Sequence, residues 1–149
     1  AYYEGRTEIE GIRDYFESIL ENVTLIDDFD VYGHLDYVVR YCPSGEKIFR
    51  MADYNDVLEQ IFKIIISKGK GIEINTGSLY KNMSYAHPHM DILKLYKDMG
   101  GEIITVGSDA HKPEYLCYDF ETYARDALTS LGYRYYCTFK NRKPEFNPL

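Results

Sequence analysis

The sequence has 149 residues, 45% hydrophobic and 28% charged, with 24 acidic side chains against 17 basic ones. That composition describes one globular unit. No stretch approaches the roughly 18 apolar residues of a membrane span, and the first residues show no basic segment followed by an apolar run. Neither membrane insertion nor secretion is expected, and a cytoplasmic location is. Lys140, Arg142 and Lys143 form the one tight basic cluster. Nucleic acid, which requires concentrated positive charge, is therefore not an expected partner, whereas a small anionic metabolite is compatible. Cys42, Cys117 and Cys137 are odd in number and widely spaced, which suits reduced thiols better than a disulfide framework. The 16 tyrosines are read as packing residues.

From Thr7 to Asn22, the apolar residues Ile9, Ile12, Tyr15, Phe16, Ile19 and Leu20 follow helical spacing. An acidic connector, Val23 to Asp30, leads to a short extended piece, Asp30 to Gly33, and then His34-Leu35-Asp36. Tyr41 to Met51 contains Pro43, Ser44 and Gly45 and is predicted as a loop. A second helix is predicted from an N-cap near Asp53 to Lys68, closed by Gly69, and its run Ile61 to Ile66 suggests packing on more than one side. Gly71 to Asn75 alternates as a strand, and Thr76-Gly77-Ser78 turns. A third helix is predicted from about Pro88 to Met99, ended by Gly100-Gly101. Glu102 to Gly107 reads as a strand buried on both faces. A fourth helix, Asp119 to Ser130, precedes a last strand, Tyr133 to Phe139, and a polar tail. Alternating strands and helices predict an α/β fold, a parallel sheet with crossover helices.

Three predicted strands end in polar clusters: His34-Leu35-Asp36, Glu73-Ile74-Asn75-Thr76 and Ser108-Asp109-Ala110-His111. They lie 41 and 34 residues apart, counting His34 to Asn75 and Asn75 to Asp109. An eight-unit α/β barrel averages about 31 residues per unit, so each cluster fits one unit. Such folds gather their chemistry at the carboxyl ends of the strands. Asp109-x-His111 could present a carboxylate and an imidazole to one divalent ion, because residues i and i+2 of an extended chain face the same way. The alternative is an Asp capping a turn with a His hydrogen-bonded to it. His34-x-Asp36 follows the same logic, against the alternative of a solvated loop His. Glu73 and Asn75 share a strand face and suit the task of hydrogen-bonding and orienting ligands. His87 and His89 are read as structural or surface residues. Ser108 lacks the Gly-x-Ser-x-Gly context of a nucleophile and suits hydrogen bonding beside Asp109.

With those residues in place, the sequence resembles the histidinol-phosphatase branch of the polymerase-and-histidinol-phosphatase (PHP) family. The resemblance rests on Gly33-His34-Leu35-Asp36-Tyr37-Val38, on Glu73 to Ser78, on Ile104 to His111, and on the tail Phe139 to Pro144. It implies the C-terminal part of a distorted (β/α)7 TIM-like barrel, with residues 1–149 a partial domain. It also implies metal-dependent phosphomonoester hydrolysis, L-histidinol phosphate to L-histidinol in histidine biosynthesis. The cofactors would be divalent ions: zinc, manganese, iron or magnesium. His34, Asp109 and His111 would be metal ligands, supported by Asp36, Glu73, Asn75 and Ser108. The family's opening His-x-His segment has no counterpart here, so the chain is expected to be a fragment and inactive alone. Where members often carry an arginine after the Asn-Thr turn, this chain has Leu79-Tyr80-Lys81, so Lys81 or Arg40 would hold phosphate. An open parallel sheet leaves unpaired edges, so self-association there is expected. The rivals are a PHP phosphoesterase of other substrate and a non-catalytic docking module.

Overall fold

The computed structural model describes residues 2–149. Helix α1 spans Glu8–Leu25 and starts on a capping box. The Thr7 amide donates to Glu10 Oε2 at 2.8 Å, and the Glu10 amide donates to Thr7 Oγ1 at 3.2 Å. Two amides that the first turn would leave open are thereby satisfied. Its stripe of Ile12, Phe16, Ile19 and Val23 packs inward. The helix runs three residues beyond the predicted Asn22. Its last turn holds no basic residue, and Lys68 supplies the missing cation from elsewhere. The Lys68 Nζ donates to the carbonyls of Val23 at 2.7 Å and Thr24 at 3.1 Å, where the helix dipole favours positive charge.

Strand β1, Val31–Tyr32, is followed by three short 3-10 turns, Tyr37–Tyr41, Glu46–Ile48 and Met51–Asp53, of which the second lies inside the predicted loop and the other two bracket it. Helix α2, Asn55–Ser67, buries Val57, Leu58, Ile61, Phe62 and Ile65 on one face, with Ile64 and Ile66 half-buried at its flanks. Each fully buried Ile or Phe contributes about 1.5–3 kcal/mol. Gly69 takes φ +65°, a conformation natural to glycine at a helix end, and the Lys70 amide reaches back to the Ile65 carbonyl at 2.9 Å.

Strand β2, Gly71–Asn75, helix α3, Met90–Asp98, and strand β3, Ile104–Gly107, complete the parallel sheet. The strand order is β1-β2-β3, with Tyr32 opposite Ile72 and Asn75 opposite Gly107. α3 starts two residues after Pro88, whose peptide bond to His87 is cis, so Pro88 lies outside the helix rather than in its first turn. Only Ile104 of β3 is fully buried, because β3 closes the hydrogen-bonded parallel sheet instead of lying within it.

A π-helical turn, Phe120–Ala124, runs into helix α4, Arg125–Ser130. The remainder departs from the parallel expectation. Strand β4, Tyr135–Lys140, and strand β5, Lys143–Pro148, form an antiparallel hairpin, so the predicted polar tail is itself a strand. Its two-residue turn, Asn141-Arg142, has φ +50° and +61°, the signature of the turn whose twist matches a tight hairpin. Arg142 pairs with Asp28 and, at 3.0 Å, with Asp30, tying the hairpin tip to the connector before β1. No helix among the described residues is long and apolar enough to cross a membrane. The three cysteines are free.

Candidate metal-binding active site

All three parallel strands deliver their carboxyl ends to the same rim, and Glu73 ties the ends together. Alternation along β2 puts Glu73 and Asn75 on the face opposite the buried Ile72 and Ile74. Glu73 Oε2 accepts the His34 amide at 3.2 Å and the Asn75 side-chain amide at 3.1 Å. On its other side Glu73 fills the space over Gly107, where a Cβ would collide with Oε1. One carboxylate thus bridges β1's end to β2 and β3. Glu73 and Asn75, read from the sequence as orienting groups, thus share one face of β2 and hydrogen-bond to each other.

His34 takes φ +30°, stacks on Tyr37 with ring centroids 4.4 Å apart, and keeps a buried Nδ1 without a hydrogen-bond partner. An imidazole nitrogen left open at a strand end is a donor suited to a metal ion. Asp109 takes φ +48° and lies 3.7 Å, Oδ1 to Nε2, from His111, whose side chain is 81% exposed. The two remain neighbours, but through a left-handed turn rather than the extended geometry assumed from sequence. The same assumption fails for His34 and Asp36. With His34 at positive φ and Asp36 opening a 3-10 turn, Asp36 points into the interior, away from the rim.

Inside, Asp36 Oδ1 sits 2.5 Å from His87 Nδ1, and its Oδ2 accepts the His89 amide at 2.9 Å. His87 also exchanges both backbone hydrogen bonds with Asn75, at 2.6 and 3.0 Å. Its Nε2 is buried without a partner. His87 is therefore an internal group that braces the end of β2, and His89 caps α3 by accepting the Asp91 amide at 3.2 Å.

Arg40 and Lys81 flank the rim. The Arg40 guanidinium lies 5.6 Å from the centroids of both Tyr37 and Tyr41 and is 3.4 Å from the Tyr37 hydroxyl. Lys81 Nζ lies 3.6 Å from Asp109 Oδ2 and 5.2 Å from the Tyr80 ring. The Tyr37 hydroxyl is pushed up by its hydrogen bond to Tyr41, by burial and by Asp109, and pulled down by Arg40. Tyr80 is pushed up by burial and Asp109, with Arg40 opposing. His34, Tyr37 and Arg40 form one group of contacting side chains, and Tyr80, Lys81 and Asp109 a second. Ser108 joins the second through its backbone, its carbonyl accepting the Tyr80 hydroxyl at 2.9 Å.

Tyr37 and Tyr80 were not singled out by sequence. Each lies within six residues of a polar cluster, which was the available signal, but sixteen tyrosines obscured it. Among the described residues, no three His, Cys, Asp or Glu side chains converge closely enough to hold one ion. The donor set on the rim is a single imidazole and a separate carboxylate–imidazole pair. Both are of the N/O type that divalent ions accept.

The PHP domain profile matches residues 1–77. The histidinol-phosphatase of Lactococcus lactis subsp. lactis (strain IL1403) is 31% identical over 148 residues, covering 98% of this chain and 54% of that protein. A probable histidinol-phosphatase of Thermotoga maritima is 32% identical over 134 residues, covering 90% of this chain and 54% of its own length. A crystal structure of the Lactococcus lactis histidinol phosphate phosphatase, complexed with zinc, L-histidinol and phosphate, superposes with a TM-score of 0.79 at 31% identity, over 97% of this chain and 54% of that one. The chain spans about half the length of the curated relatives it matches. With a domain profile over more than half its residues and an α/β fold shared with a solved relative, the chain belongs to the PHP domain family.

Proposed function

We propose that this chain furnishes part of the active site of a metal-dependent phosphomonoesterase that hydrolyses L-histidinol phosphate to L-histidinol in histidine biosynthesis. The observation that supports the reading is that β1, β2 and β3 run parallel and side by side, so that His34 with its open Nδ1, Glu73 and Asp109 all lie at or just beyond the carboxyl ends of neighbouring strands. His34, Asp109 and His111 contribute donors to one or more divalent ions. Zinc is the ion in the Lactococcus lactis complex, and manganese, iron and magnesium suit the same donors. Such an ion screens the phosphate charge and activates water at neutral pH. Glu73 and Asn75 hold the His34 loop in place. Arg40, stacked on two tyrosines, and Lys81, beside Asp109, bind the phosphate oxygens.

In this reading residues 1–149 are a portion of a TIM-like barrel in a cytoplasmic enzyme. The free side of β1 then pairs with another strand, in the same protein or in a second copy. The full-length protein carrying this chain is assayed with L-histidinol phosphate and p-nitrophenyl phosphate, with and without divalent metal. Preference for histidinol phosphate is expected, and His34→Ala or Asp109→Asn should each cost at least the roughly 10–100-fold typical of lesser metal-site partners. Preference for the generic ester would replace the substrate assignment by another PHP phosphoesterase activity. Full metal-independent activity in both variants would remove the reading altogether.

A further inference from the structure

We propose that Tyr80 is a positioning residue whose hydroxyl, with that of Thr76, clamps the Gly107–Asp109 turn and so aims the Asp109 carboxylate at a divalent cation. The inference rests on the reading of Asp109 as a metal ligand.

Three consecutive carbonyls of this turn are held from one neighbouring segment, the 3-10 turn Thr76–Lys81 that leaves β2. Thr76 Oγ1 donates to the Gly107 carbonyl at 3.3 Å, and the Tyr80 hydroxyl lies 2.9 Å from the Ser108 carbonyl and 2.7 Å from that of Asp109. The approach is close enough that a Cβ on Gly77 would stand 3.0 Å from the Ser108 carbonyl oxygen. Lys81, the next residue, reaches the Asp109 carboxylate itself.

The clamp has something to hold. Asp109 sits at φ +48°, a left-handed conformation that Asp tolerates better than most residues but that is still less favourable than negative φ for any side chain. Released, the turn can relax toward negative φ and carry the carboxylate away from the rim. Tyr80 is itself immobilised. Its ring stacks on Tyr115 at 4.1 Å and 8°, and Tyr118 meets it edge-on at 5.3 Å. The hydroxyl is therefore delivered from a rigid aromatic brace, and groups that orient metal ligands from behind set metal affinity.

The test uses the full-length protein and competition of zinc or manganese against a chelating indicator. Tyr80→Phe keeps the ring stack and removes only the hydroxyl. Metal affinity is expected to fall about 10–100-fold, with the apo-protein melting temperature within a few degrees of the parent. Tyr115→Phe, which keeps the brace, should bind metal as the parent does. Unchanged affinity in Tyr80→Phe, while Asp109→Asn loses metal, would overturn the clamp and leave the metal site standing. Unchanged affinity in Asp109→Asn would overturn both. A large drop in apo melting temperature for Tyr80→Phe would show that the hydroxyl serves the fold instead, and would equally overturn the proposal.

Discussion

His87 Nδ1 lies 2.5 Å from Asp36 Oδ1, and neither residue exposes more than 1% of its surface. The carboxylate joins the segment after β1 to the segment before α3, with its second oxygen holding the His89 amide. Removing it strands a buried imidazole and a backbone amide together. Asp36→Ala is expected to cost about 3–5 kcal/mol, as breaking a buried pair from one side does. Urea unfolding measures this as a lowered midpoint at unchanged slope. Asp91→Ala, on an exposed side chain, is the control and should stay within about 0.5 kcal/mol. An Asp36→Ala protein as stable as the parent would contradict the role given to the pair.

Stability should fall at both ends of the pH scale. Hydrogen bonds from Lys68, Arg142 and Arg13 hold Asp27, Asp28 and Asp56 below the ordinary carboxylate range. A depressed carboxylate stabilises the fold above its unfolded pKa, near 3.8, and that contribution disappears as the pH drops through the folded value. The exposed pairs make the loss below about pH 4 shallow and salt-sensitive. Burial pushes Tyr85, Tyr96 and Tyr133 upward and takes Tyr54 up to about 12. A raised phenol stabilises fully below its unfolded value of 10.0, and the contribution is lost as the pH climbs through the folded one. Tyrosinate absorbance and circular dichroism should therefore change together in a cooperative step above pH 10. Smooth titration of all sixteen tyrosines in a folded chain would refute this.

Gly71 and Gly107 should respond differently to the same methyl group. A Cβ on Gly71 would stand 2.6 Å from the Ile103 carbonyl oxygen, which is backbone, so Gly71→Ala should destabilise by about 1–3 kcal/mol. At Gly107 the obstacle is the end of the Glu73 side chain, which can swing aside. Gly107→Ala should fold almost as the parent does, yet displace the carboxylate that holds the His34 amide and the Asn75 side chain. Amide exchange at His34 resolves the two effects. Retained protection there in Gly107→Ala would dissociate Glu73 from the loop.

Local periodicity revealed the parallel half of the fold. β2 has the predicted bounds, and Gly69 and the Gly100-Gly101 pair close their helices through ordinary backbone chemistry. It also brought His34, Glu73 and Asp109 to one rim, because strand ends in a parallel sheet must point together. Side-chain direction was not legible. Asp36 turns inward because His34 departs from extended φ, and a pattern of residue types carries no record of that torsion. The hairpin was hidden for a related reason. Its turn places Arg142 where glycine would be the usual marker, and Pro144 and Pro148 argue against a strand.

Those two prolines have a further effect. Lys140 and Lys143 flank the two-residue turn, so hydrogen-bonded and open pairs alternate outward from them. The backbone nitrogens of residues 144, 146 and 148 consequently face away from β4. Two of the three belong to proline and have no hydrogen to offer. A stray chain approaching that edge finds almost nothing to zip onto, while Val31 and Tyr32, at the edge of the separate parallel sheet, carry no such block. One sheet edge is mute and the other receptive.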